Sequence, residues 1–384
     1  MMQASQSTIM PLGLYVHIPY CKQACSYCNF YFSTQLKSID DLVYALCKEI
    51  TTRIDFWPKR NLKSIYFGGG TPSILSGVHL AQIFKAIKSV YNTSSCLEIT
   101  FECNPDDITS EKLEVWQNHG VNRLSIGIQS FYDNHLKLMN RSHNVEQAIK
   151  AIKQAKSHGF DNLTIDFIYG IPGQSDKDLI DNLSKVIEFD ITHFSAYALT
   201  VEPKTLLAHK VEKGIIKQTD DDTFKRHFDI IKSFARKNGY EHYEISNFSK
   251  TGKRAIHNSS YWNGEPYLGI GPAAHSFNGE NRFWNVANLH SYIKGINGQG
   301  DYINKEVLSD ADKYNEYLLT KLRTIEGVEL EVIETRFPQY LNYFHSQSKS
   351  LLKKQWLSRD KDTFVLTDEG QFLCDHITAE LMTD

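Results

Sequence analysis

Six short apolar segments, each followed by an amphipathic stretch, limit the architectures open to this chain. The segments Leu12–Ile18, Ser64–Phe67, Leu97–Glu102, Arg123–Ile128, Leu163–Tyr169 and His193–Leu199 are rich in Val, Ile, Tyr and Phe. Their shortness and near-continuous hydrophobicity predict buried parallel strands. Helices are expected between them over Asp40–Arg53, Leu75–Val90, Thr109–His119, Asn144–His158 and Asp176–Phe189, with a sixth over Asp220–Asn238. Thr109 supplies a start signal, and Gly120, Gly159 and Gly239 sit just past three helix ends. Successive βα units require an α/β fold with a parallel sheet, either an incomplete barrel or an open sheet.

The rhythm changes from about Tyr240. Tyr261–Asn278 is dense in Gly, Pro and aromatic residues and is expected to be an ordered connecting region, with a linker at Gly295–Gly300. Beyond it, helices are expected over Ala311–Thr324, Glu329–Arg336 and near Ser348–Gln355. A hairpin around Arg359–Asp362 and a final helix from Asp368 complete a small, mainly helical, winged-helix-like domain. The expected units are therefore 1–240, 241–300 and 301–384.

From Lys305 onward 10 basic residues face 15 acidic ones, a net charge of −5, and the whole chain sums to 42 − 45 = −3. Neither value suits nucleic-acid binding, and a packing or lid role is expected for the last domain. No apolar run approaches the ~18 residues of a membrane span. Met1–Val16 holds no Lys or Arg and so lacks a secretory start. A cytoplasmic location without membrane insertion is the expectation.

The seven cysteines (21, 25, 28, 47, 96, 103 and 374) are odd in number and unevenly spaced, which favours metal binding or reduced thiols over disulfides. Three of them, Cys21, Cys25 and Cys28, follow the first strand directly. Three thiolates on a four-iron cluster leave one iron open for a chelating ligand. A Cys3His zinc site that uses His17 is the alternative. The second strand ends in Gly68-Gly69-Gly70-Thr71-Pro72, whose N–H groups can face a ligand. Glu102, Gln129 and Asp166 recur near the C-terminal ends of later strands, and Arg141 follows the fourth. Unpaired polar residues are costly in buried strands, and α/β folds place their ligands at this end of the sheet.

Tyr15-Val-His-Ile-Pro-Tyr-Cys21, the three-cysteine loop, Gly68–Pro72, Glu102-Cys-Asn-Pro105, Ser125-Ile-Gly-Ile-Gln129 and Asp166-Phe-Ile-Tyr-Gly170-Ile-Pro-Gly-Gln174 together resemble the radical S-adenosylmethionine superfamily. Within it they resemble the branch of oxygen-independent coproporphyrinogen III oxidases and haem chaperones. The resemblance implies an incomplete (β/α)6 TIM-like barrel. It also implies a 4Fe–4S cluster on Cys21, Cys25 and Cys28, with S-adenosylmethionine chelating the fourth iron. Gly69, Gly70 and Thr71 would meet the methionine end of that molecule. Tyr15, Tyr27, Glu102, Gln129, Arg141, Asp166 and Ala198 would line the rest of its pocket.

Three features separate chaperone from oxidase. The oxidases resemble Cys-x3-Cys-x2-Cys-x-Cys, and the last of those positions is Phe30 here. They also carry a longer N-terminal extension, whereas fourteen residues precede Tyr15. His257-Asn-Ser-Ser-Tyr-Trp262 resembles a motif of the haem chaperones, in which His257 would be the haem ligand; imidazole is a common axial ligand and aromatic rings pack on a macrocycle. The implied function is haem binding and delivery to acceptor haemoproteins, membrane-bound respiratory enzymes among them. Radical decarboxylation of coproporphyrinogen III is the alternative activity.

Overall fold

The computed structural model describes residues 11–383. The first ten residues, which open the expected 1–240 unit and most of the stretch without a basic start, lie outside the described residues. Six parallel strands stand side by side in chain order: β1 (Leu12–Ile18), β2 (Leu62–Gly69), β3 (Glu98–Cys103), β4 (Arg123–Gln129), β5 (Leu163–Tyr169) and β6 (His193–Ala198). On β1, Leu12, Leu14, Val16 and Ile18 are fully buried toward the helices, which leaves Tyr15 and His17 on the inner face.

The helices α1 (Ile39–Thr52), α2 (Gly77–Val90) and α3 (Ser110–Asn118) follow the first three strands. A short α4 (Asp133–Leu138) precedes α5 (Val145–Ser157), and α6 (Asp176–Glu188) precedes β6. A short α7 (Leu206–Glu212) then precedes α8 (Asp221–Lys237). Capping boxes at Ser76, Asn144 and Ser175 fix three of these starts.

The sheet continues past both ends of this barrel-like array and does not close. β7 (Glu241–Glu244) and β8 (Asn247–Ser249) form an antiparallel pair that adds to β6. After α9 (Ile256–Trp262), β9 (Tyr267–Ile270) pairs in parallel with β1 on the side away from β2. β10 (His275–Phe277), β11 (Asn281–Asn285), α10 (Leu289–Ile296) and β12 (Ile303–Val307) follow, and their strands extend that edge antiparallel, giving a 12-stranded sheet. The 241–300 stretch is thus part of the sheet as well as a connection, and β12 belongs to the sheet although it lies within 301–384. These strands are three to five residues long. Their stability comes from neighbours distant in sequence, which local periodicity does not reveal.

The C-terminal unit runs α11 (Asp310–Lys321), β13 (Val328–Glu329), α12 (Leu330–Arg336), α13 (Leu341–Lys353), β14 (Leu357–Asp360), β15 (Thr363–Leu366), α14 (Asp368–Phe372) and α15 (Cys374–Leu381). Its helices and three antiparallel strands enclose a separate core that includes Tyr314, Leu318, Phe344, Leu351 and Phe364. The helix expected near Ser348 begins earlier, at Leu341. Backbone bonds from Ile245 N to Arg323 O (3.0 Å) and from Ile325 N to Tyr243 O (3.2 Å) dock this unit on the β7–β8 edge.

One buried carboxylate ties the added strands to the barrel. Glu49 on α1 accepts hydrogen bonds from Gly271 N (2.9 Å), Asn285 Nδ2 (2.8 Å) and Tyr292 OH (2.7 Å), and Arg53 stands 3.5 Å away. Glu49→Ala strands these donors in the interior and should destabilise the protein by roughly 3 kcal/mol. Denaturant unfolding of the two proteins measures the difference, and a loss below about 1 kcal/mol would remove Glu49 from this role.

Candidate functional site

The C-terminal ends of the parallel strands open on a cavity of about 570 Å³. Cys21, Cys25 and Cys28 line it from the loop after β1, each half-buried. That loop is held by its neighbours. Cys21 N donates to Ser33 O (3.0 Å), and Ser26 N and Oγ donate to Met139 O (2.9 Å) and Leu138 O (3.0 Å). Asn140 Nδ2 donates to Ala24 O (2.7 Å). The segment after α4 therefore clamps the cysteine loop from across the barrel mouth.

Side chains meet the sulfurs, Tyr27 at Cys25 among them. Thr71 Oγ1 lies 3.6 Å from Cys21 Sγ, and Arg141 Nη1 lies 3.3 Å from Cys25 Sγ. Arg141 Nη2 donates to Asn104 Oδ1 (2.8 Å) and Gly127 O (2.9 Å), while its buried Nε has no partner. Burial pushes the Cys21 thiol up to about 11 and also raises Cys28. Metal binding at these thiols must therefore release protons.

The glycine run is forced by close packing. A Cβ on Gly70 would lie 2.7 Å from Tyr20 O and 2.9 Å from Ile18 O. Gly69 has φ +107°, and its Cβ would strike the His17 ring at 2.5 Å. Both glycines and Thr71 line the cavity, so main chain stands where side chains would otherwise fill the space.

The carboxyls stand deeper in the cavity. Glu102 accepts from Tyr66 OH (2.6 Å) and Gly69 N (3.2 Å), and burial, with Asp166 adding to it, pushes its carboxyl up to about 7. Asp166 accepts from Ser125 Oγ (3.0 Å) and is also raised by burial. Tyr15, Tyr27, Gln129 and Ala198 complete the expected set around the same cavity. Gln129 ends β4 with φ +65°, a left-handed bend that re-aims the chain at the cavity. Tyr66 and Asn104, absent from the expected set, line the cavity too. Tyr66 shares strand parity with Gly68, a signal that could have found it.

His257 is elsewhere. It is fully buried on α9, one layer beneath the cavity floor, with its ring 5.1 Å from Tyr66 and 6.5 Å from Tyr15. Ser64 Oγ and Tyr261 OH bond its two nitrogens, each at 2.8 Å. Burial, with Lys63 contributing, holds it neutral down to about pH 3. The Glu98 carboxylate on β3 anchors it by accepting from the first N–H groups of α9, Ile256 N (2.8 Å) and His257 N (2.9 Å).

The donor set fits a cluster with an organic chelate. Three thiols share one loop, an arginine and backbone N–H groups can face a carboxylate, and two carboxyls can face hydroxyls. Among the described residues, no three or more His, Cys, Asp or Glu side chains are arranged to hold a single metal ion. His17 lines the same cavity, with Nδ1 bonded to Tyr15 OH at 3.0 Å and Nε2 without a hydrogen-bond partner.

Residues 15–186 match the radical SAM superfamily, and residues 308–373 match the HemN C-terminal domain. The chain is 34% identical to the haem chaperone HemW of Bacillus subtilis, over 94% of this chain and 96% of that protein. It is 32% identical to the haem chaperone HemW of Lactococcus lactis, over 97% and 98% respectively. The chain belongs to the HemW family. Its fold also matches the solved structure of coproporphyrinogen III oxidase (HemN) from Escherichia coli, with a TM-score of 0.85 at 23% identity over 99% of this chain and 92% of that one. Membership of the radical SAM superfamily implies a 4Fe–4S cluster and S-adenosylmethionine, and the cavity of this HemW-family chain suits both.

Glu102 links the site to stability. Its native carboxyl binds a proton more tightly than the unfolded one, near 4.5. Its contribution is therefore full below about pH 4.5 and is lost as pH rises toward 7. Between these pH values metal-free wild type should lose on the order of 2 kcal/mol more stability than Glu102→Gln. Parallel denaturation curves at the two pH values check this, and equal losses would contradict it.

Proposed function

We propose that this HemW-family protein binds haem and passes it to acceptor haemoproteins, membrane-bound respiratory enzymes among them. In this reading it holds a 4Fe–4S cluster on Cys21, Cys25 and Cys28, with S-adenosylmethionine beside it. The similarity to proteins named haem chaperone over nearly the whole chain is the observation that carries the reading. Phe30, 71% exposed on the cluster loop, agrees with it, because the oxidase pattern has a cysteine there.

When bound, the cluster supplies a single electron able to cleave the sulfonium. The protein's own part is positioning. Gly69 and Gly70 bring main chain against the methionine end, and Thr71 adds a hydroxyl. Arg141 neutralises a carboxylate, and Glu102 and Asp166 accept from hydroxyls or the ammonium group. Tyr15, Tyr27, Gln129 and Ala198 fill the remaining wall and exclude water. Both nitrogens of His257 are bonded internally, which leaves neither of them for haem iron. No helix among the described residues is long and apolar enough to cross a membrane.

Anaerobically reconstituted protein should show a saturable Soret band with ferric haem and transfer that haem to an apo-acceptor. It should form no protoporphyrinogen from coproporphyrinogen III. Multiple-turnover decarboxylation would replace the chaperone reading with the oxidase one.

A further inference from the structure

His275 differs from the buried histidine of α9 in every respect that matters to a metal. It lies on β10 opposite Trp284 of β11, and Phe277 lies opposite Arg282, so the four side chains share one face of the sheet. That face continues the inner wall of the barrel. Phe277 pairs with Tyr267, and Tyr267 pairs with Gly13, whose parity on β1 is that of Tyr15 and His17. Beyond β9 the inner wall emerges from the barrel. His275 is exposed, whereas its neighbour Ser276, on the opposite face, is buried.

The imidazole is unencumbered. Among the described residues neither ring nitrogen of His275 has a hydrogen-bond partner, and the ring lies against Trp284 at 6.2 Å and 23°. Partial burial, with Arg282 contributing, lowers its pKa and keeps it in the neutral, ligating form. Arg282 is oriented by Glu316 and by Tyr267 OH through its Nε and Nη1, which leaves Nη2 free for a carboxylate. An exposed neutral imidazole, with a half-buried indole and a spare guanidinium donor on the same face, matches the iron, the ring edge and a propionate of haem.

We propose that haem docks on the face formed by His275, Trp284 and Arg282, with His275 as its axial ligand. This rests on the haem-chaperone reading and assigns it a site that needs no movement of α9.

The test is titration of the full-length protein with ferric haem, using wild type, His275→Ala, Trp284→Ala and His257→Asn, with circular dichroism to verify folding. His275→Ala should weaken binding on the order of tenfold or more and shift the Soret band, and added imidazole should restore the band position. Trp284→Ala should weaken binding without shifting the band, and folded His257→Asn should bind as wild type does. Iron and sulfide content should be equal in all four proteins. Wild-type binding by His275→Ala, or loss of the band in folded His257→Asn alone, would overturn the proposal. Absence of haem binding by wild type would instead defeat the chaperone reading, and this proposal with it.

Discussion

β1 is paired in parallel on both sides, with β2 and with β9, and the rest of the molecule depends on that double pairing. In a barrel of six strands the first strand would close on the last. Here β9 occupies the flank of β1 that closure would require, and β8 occupies the flank of β6. The result is a trough with an open side, its inner wall running from Asp166 through Tyr15 and His17 to His275. Glu49 secures the arrangement from the outer face by binding the turn after β9, a side chain of β11 and one of α10 at once.

The same strand launches the cysteine loop, so the position of the sulfurs follows from the register of β1. Gly70 N bonds Ile18 O at 2.8 Å, and Cβ atoms on Gly69 and Gly70 would collide with His17, Ile18 and Tyr20. The glycine run and the cysteine loop are therefore packed as one unit. Across the mouth, Arg141 stands beside Cys25, and its positive charge opposes the burial that raises the Cys21 and Cys28 thiols. Burial in the same dry environment raises the carboxyls of both Glu102 and Asp166. A ligand that brings hydroxyl and ammonium groups to them offsets part of that cost.

The six core strands were legible because buried parallel strands have a strong local signature; Leu12–Ile18 and Leu163–Tyr169 agree with the structure to the residue. The grouping of polar residues at the strand ends was legible because a buried polar group without a partner is costly. All of the expected residues except His257 line one cavity. What escaped was decided by distant partners. The segments β7 to β12 are short and stable only as additions to β6 and β1, and α4 and α7 are short helices inside connections. The motif around His257 marks a special segment, but only the fold reveals that α9 plugs the barrel beneath Tyr66. His275, within a Gly- and Pro-rich stretch, carries no periodic signal at all.

We propose that three cysteines of one loop hold an iron–sulfur cluster with one iron left for S-adenosylmethionine. Anaerobic reconstitution followed by iron and acid-labile sulfide analysis tests it most directly. About four of each per chain are expected, with an iron spectrum that changes when S-adenosylmethionine is added. A single zinc ion per chain without sulfide would contradict the account.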